Sequence, residues 1–151
     1  MMPEPIKRAP FQVLVVPFRK TTGGHEFSAL KRSDMSVWQF VAGGGDEGES
    51  VERAACREAS EELGFQVQGV IKLQSMATVP VKLFKARSYW PQDLYVVPEY
   101  AFAADCTAQD IRLSGEHNEF VWGNADQIMA LLNWDSNRTA LWELGERLRR
   151  S

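Results

Sequence analysis

The chain has 151 residues, with 17 Lys and Arg against 20 Asp and Glu, 44% apolar residues and 11% aromatics. That length predicts a single domain over residues 1–151 that buries roughly 70% of its unfolded surface, and the 25% charged share excludes a disordered chain. A net charge of −3 tells against a general nucleic-acid binder, and no apolar run approaches the ~20 residues that span a bilayer.

Met1 to Pro10 carries three prolines and no apolar core, so no signal peptide is expected there. Phe11–Phe18 (FQVLVVPF) predicts a buried strand, and Thr21-Thr22-Gly23-Gly24 a turn. Phe27–Lys31 and Val37–Val41 predict two further strands, the second ended by Gly43-Gly44-Gly45. Ser50–Leu63 predicts a helix: Ser50 can cap its first turn, alanines favour its interior, and Gly64 suits the position after its end. Extended stretches follow at Val67–Leu73, Ala77–Phe84, Tyr100–Ala104 and Phe120–Trp122, and helices close the chain at Ala125–Leu132 and Arg138–Arg149. This order predicts an α/β or α+β sandwich. Lys85–Pro98, with Tyr89, Trp90 and Tyr95, is the expected long functional loop, whose aromatic rings could stack on a flat ligand. Trp38, Trp122 and Trp134 read as packing residues. Cys56 and Cys106 stand fifty positions apart in no metal or redox spacing, which points to a reduced, cytoplasmic protein with an inert Cys56.

The acidic excess is local. Asp46 to Glu62 holds seven acids against Arg53 and Arg57, a net −5 that leaves the rest of the chain at +2. On a helical wheel Glu58 and Glu62 border the Val51/Ala55/Ala59 stripe, with Glu61 beside them. Most such runs are solvated faces, and each like-charge pair one turn apart costs a few tenths of a kcal/mol. Here the carboxylates edge the apolar stripe, a glycine triplet precedes them, and no lysine neutralises them. An all-oxygen donor set without His or Cys selects a hard cation, Mg²⁺ or Mn²⁺, which keeps open positions for water and phosphate oxygens.

Gly43, five residues, Glu49, seven residues, then Arg57-Glu58-Ala59-Ser60-Glu61-Glu62-Leu63-Gly64-Phe65 resembles the Nudix box, with all seven fixed residues in place. The resemblance implies a Nudix-type α/β/α sandwich around a mixed sheet, and a Mg²⁺- or Mn²⁺-dependent hydrolase of diphosphate linkages. Lys7-Arg8, Arg32 before Trp38-Gln39, Ser114-Gly115-Glu116-His117 and Asp135-Ser136-Asn137-Arg138 are similar to the dihydroneopterin triphosphate pyrophosphatase branch. Ala42, where that branch has Thr, and Gly44-Gly45 depart from it at phosphate-contacting positions.

By that resemblance Glu58 and Glu62 are metal ligands, and Glu61 is a further ligand or the base that deprotonates water. Arg57 orients a box glutamate and Glu49 braces the loop. Glu116 is the distant metal-binding glutamate, with Glu119 as its rival. Lys7, Arg32, His117 and Ser136 contact the substrate. The expected partner is a small diphosphate or triphosphate, with dihydroneopterin triphosphate first. The alternatives are a (deoxy)nucleoside triphosphate, oxidised ones included, and a Nudix-like module that binds nucleotides without hydrolysing them. Neither a stable nucleic-acid partner nor a membrane is expected; an RNA 5′-end hydrolase would want a basic stripe.

Overall fold

The computed structural model describes residues 7–151. The sheet is built around β1, Arg8–Thr21, in which Val13 to Phe18 are all buried. A strand covered on both faces needs a continuous apolar run rather than an alternating one, which is what the sequence supplies there. β6 (Val96–Asp105) lies parallel along one edge, from Gln12 opposite Glu99 to Phe18 opposite Asp105. The other edge is divided. β2 (Gly24–Arg32) pairs antiparallel with Phe18–Thr21, and β4 (Val41–Asp46) pairs with the other end, from Arg8 to Val15. The two-residue β3 (Trp38–Gln39) and β7 (His117–Gly123) pair with β2, and β5 (Ile71–Pro80) pairs with β6. Together they make a seven-stranded mixed sheet.

Alternation along β1 sends Leu14, Val16 and Phe18 to one face and Val13 and Val15 to the other. α2 (Ala125–Leu131) and α3 (Asp135–Arg150) cover the first face through Ile128, Leu141 and Leu144. α1 (Val51–Leu63) covers the second through Ala54, Ala55, Ala59 and Leu63. This is the α/β/α sandwich that the Nudix resemblance implies, and it agrees with the α/β or α+β sandwich that the element order predicts. Small residues on α1 let it pack close to the sheet, which brings its glutamates to the sheet's end.

The α1 boundaries follow their capping chemistry. Ser50 Oγ accepts the Arg53 N–H at 3.2 Å, and Gly64 takes the left-handed conformation (φ 79°) with its N–H donated to the Ser60 carbonyl. Other boundaries differ from the sequence expectation. The glycine triplet does not end a strand; β4 runs through it, because a Cβ at Gly43 would overlap the Glu58 carboxylate and one at Gly45 the Phe11 ring. The two stretches expected at Val67–Leu73 and Ala77–Phe84 are one strand, β5, with a register irregularity between Lys72 and Met76. Val81–Leu83 and Lys85–Tyr89 form short 3₁₀ turns, and Val96–Pro98 belongs to β6, so the expected long loop is shorter than Lys85–Pro98. α3 begins at Asp135 rather than Arg138.

Gly64 is also where a side chain would strike the Arg112 carbonyl, in a segment held by the Arg112 N–H bond to Leu63 at 2.8 Å. Gly64→Ala is expected to lower stability by about 1–3 kcal/mol through strain at positive φ and this clash. Urea unfolding checks it, and an unchanged midpoint would contradict the account.

Candidate functional site

Arg57, on the polar edge of α1, ties the preceding loop to the helix. Its Nε and Nη2 donate to the two Glu49 oxygens at 2.9 and 3.0 Å, Nη2 also to the Gly44 carbonyl at 3.0 Å, and Nη1 to Glu58 Oε1 at 3.0 Å. Glu49 in turn accepts the Asp46 N–H at 2.9 Å. The Arg57 guanidinium holds the Glu49 carboxyl below its usual range, and Glu49 drives the Arg57 value up. A bidentate fork of this kind fixes geometry as well as charge. Every Arg57 nitrogen is thereby engaged inside the protein, which makes it a positioning residue.

One turn on, Glu62 has no such partner. It is 2% exposed, and neither carboxylate oxygen has a hydrogen-bond partner among the described residues. Burial, then the nearby charges of Glu58, Glu116 and Glu61, push its pKa up to about 9. His117, 4% exposed at the start of β7, is equally unpartnered at both ring nitrogens, and its Nδ1 stands 3.4 Å from Glu62 Oε1. Burial, reinforced by the Arg32 charge, lowers its pKa. Glu62, Glu116 and His117 each present one donor atom within 4.8 Å of the others. Glu58, one turn before Glu62 on α1, is also buried, and burial raises its carboxyl pKa against the opposing pull of Arg57.

Glu62, Glu116 and His117 border a cavity of about 850 Å³, within the usual range for a small-molecule site. It opens at the end of the sheet where α3 begins. Arg32, Gly115, Glu116 and His117 form one side, Thr78 to Pro80 with Leu83 and Phe84 another, and Trp134 to Asn137 a third. Asn137 is pinned there because its Oδ1 accepts the Phe40 N–H at 2.8 Å.

Comparison with known proteins decides the family. A family profile described as the NUDIX domain matches residues 10–142. The chain belongs to the Nudix family. It is 27% identical to the dihydroneopterin triphosphate diphosphatase of Escherichia coli (strain K12), over 93% of this chain and 95% of that protein. The structure of the E. coli dihydroneopterin triphosphate pyrophosphohydrolase superposes with a TM-score of 0.75 at 26% identity, covering 95% of this chain and 99% of that one. A protein from Listeria monocytogenes assigned to the NUDIX hydrolases superposes with a TM-score of 0.85 at 46% identity, covering 94% and 96%.

Of the residues singled out from the sequence, the fold brings Glu62, Glu116, His117, Arg32 and Ser136 to one cavity. Glu116 lines it and Glu119 does not; Glu119 sits exposed on β7 opposite Lys31. Glu58 packs against Gly43 behind the cavity, while Glu61 is 58% exposed, its nearest cation Arg57 Nη1 at 3.6 Å. Arg32 is held by Asp34 in a two-pronged bond at 2.9 and 2.6 Å. Lys7 is exposed and absent from the lining, its ammonium 5.8 Å from the Tyr89 ring and its carbonyl accepting the Glu47 N–H. The loop aromatics are also elsewhere: Tyr89 and Tyr95 face solvent and Trp90 Nε1 donates to the Arg8 carbonyl. Leu83 and Phe84 supply that wall instead. Trp134, expected to pack in the core, lines the cavity and donates Nε1 to Gln39 Oε1 at 3.0 Å, while Trp38 and Trp122 are half-buried against the two cores. Both cysteines are free, and burial raises both thiols, Cys106 to about 12.

The donor set fits a divalent cation, since an unpartnered buried carboxylate and imidazole beside a second carboxylate is costly without one. It is not all-oxygen, however. His117 joins it because β7 pairs His117 with Arg32 at a register shift, a placement no spacing in the sequence encodes.

Glu62 also dictates a pH dependence. The unfolded chain releases this proton near the ordinary 4.5, while the folded chain keeps it to about 9. The native state binds the extra proton between those values, so stability falls as pH rises across that window. In EDTA, thermal melts from pH 5 to pH 9 should show a falling Tm, and Glu62→Gln should flatten the slope. Equal slopes in both proteins would contradict the assignment.

Proposed function

We propose that this Nudix protein is a divalent-cation-dependent pyrophosphohydrolase of a small triphosphate, with dihydroneopterin triphosphate as the leading substrate. The observation that carries the reading is the buried Glu62 carboxylate, unpartnered beside Glu116 and His117 at the edge of a ligand-sized cavity. Glu62, Glu116 and His117 would hold Mg²⁺ or Mn²⁺, with Glu58, one turn back along α1, as a further ligand. Such a cation, when bound, neutralises charge on the phosphoryl oxygens and lowers the pKa of water.

The remaining chemistry belongs to the chain. Arg57 holds Glu58 and the β4–α1 loop in one geometry through its fork on Glu49. Glu61, solvent-exposed and one helical step from Glu62, is the carboxylate free to take a proton from attacking water. Arg32, at the cavity rim, meets the phosphate chain, and Ser136 offers a hydroxyl at the opposite wall. Lys7 reaches the substrate only by leaving its place above Tyr89. In-line attack by water needs no covalent intermediate, so charge neutralisation is the main requirement. Two full-length comparisons support the pterin substrate: the E. coli protein and its structure each align over more than nine-tenths of the chain.

The test is release of phosphate or pyrophosphate, with Mg²⁺, from dihydroneopterin triphosphate, dATP, dGTP, an oxidised dGTP and an ADP-sugar. The pterin triphosphate should show the highest kcat/KM, and Glu62→Gln should lower kcat at least about 100-fold while the fold is retained. A nucleoside triphosphate outrunning the pterin tenfold would overturn the substrate; no turnover of any member of the panel would overturn the hydrolase reading.

A further inference from the structure

The face of the sheet that α2 and α3 cover is apolar along most of its length and changes character at one end. On β1 the row runs Phe18, Val16, Leu14 and then Gln12; on β6 it runs Ala103, Ala101 and then Glu99. The rows are in register, Gln12 opposite Glu99 and Leu14 opposite Ala101, so the two polar residues stand side by side where the core gives way to the cavity. Gln12 Nε2 donates to Glu99 Oε2, and Ala77 of β5 flanks Glu99 on its other side.

Glu99 is 6% exposed, and among the described residues no lysine, arginine or histidine lies within ion-pair distance of it. A buried carboxylate braced by one neutral amide is under-satisfied: ionised, it offers about four acceptor sites and no donor. The same cavity is lined by the apolar side chains of Leu14, Ala77, Val79, Leu83 and Phe84. A flat ring that presents adjacent N–H groups would complete this corner. Adenine and cytosine each set an acceptor nitrogen beside their amino group, and thymine sets carbonyls on both sides of its N–H. Only the 2-amino-4-oxopyrimidine edge, shared by guanine and pterin, offers a ring N–H and an amino group side by side.

We propose that Glu99, positioned by Gln12, is the specificity-determining residue of the cavity and accepts the ring N–H and 2-amino group of a 2-amino-4-oxopyrimidine. The inference rests on the cavity being the substrate site, as the hydrolase reading has it, but not on turnover or on a metal. It assigns Glu99 a role against adenine as well as for guanine or pterin, because the adenine acceptor nitrogen would face a buried anion.

Calorimetric binding of neopterin triphosphate, dGTP and dATP in EDTA tests it. The wild-type protein should bind the first two at least about tenfold more tightly than dATP. Glu99→Gln should lose roughly 10–100-fold for both while dATP changes little. Glu99→Asp, which keeps the charge, should preserve the order of preference. Tighter binding of neopterin triphosphate or of dGTP tells which source carries the edge, and either supports the proposal. Equal wild-type affinity for dATP and dGTP would overturn it, as would a Glu99→Gln loss shared by all three ligands. A protein that binds in the expected order yet hydrolyses nothing contradicts the hydrolase reading and leaves Glu99 in place.

Discussion

The arginine fork of Arg57 is the contact on which the site's geometry depends. One guanidinium satisfies Glu49, Glu58 and the Gly44 carbonyl together, and so locks the β4–α1 loop against the first half of α1. With Glu58 pinned, the helix presents Glu62 one turn further on with no arginine or lysine to neutralise it. Gly43 matters for the same reason: its missing side chain is the space that the Glu58 carboxylate fills. The helix therefore carries a compensated carboxylate and an uncompensated one.

The sheet supplies the rest by divided use of its faces. α1 closes the Val13/Val15 face with small side chains, whereas α2 and α3 close the Leu14/Val16/Phe18 face only as far as Leu14. Beyond that point the same face becomes the cavity, reached by the beginning of α3 and by the β2–β7 edge that carries His117 and Glu116. Glu62 and Glu116 thus share one cavity with Gln12 and Glu99 without sharing an element, an arrangement that lets a Nudix box be combined with different specificities.

The sandwich and the helix that bears the box were legible in the sequence because they rest on local signals: an apolar run in β1, a serine cap, and a glycine that only the left-handed end of α1 requires. The box spacing singles out Glu58, Glu61 and Glu62 for the same reason, and of these Glu62 lines the cavity. What depended on pairing between distant segments was not legible. His117 enters the Glu62 cluster through a register shift on β2, and Trp134 reaches the cavity because α3 starts three residues earlier than its polar sequence suggests. Gln12 lies in the expected Phe11–Phe18 strand and Glu99 in the gap before the expected Tyr100–Ala104 stretch, and neither stands out there. The one available signal was a polar residue closing each apolar alternation, at positions that only the parallel register makes adjacent. The glycine triplet misled because its function is close approach by Glu58 and Phe11, not a turn.

The central claim is that Glu62, Glu116 and His117 surround a cation, and the most direct measurement is crystallographic. Crystals soaked in Mn²⁺ and measured at its absorption edge should give an anomalous peak between the Glu62 and Glu116 carboxylates, bordered by the His117 ring and absent in Glu62→Gln. A peak only on the exposed acids near Glu61, or a peak that survives Glu62→Gln unchanged, would contradict the account.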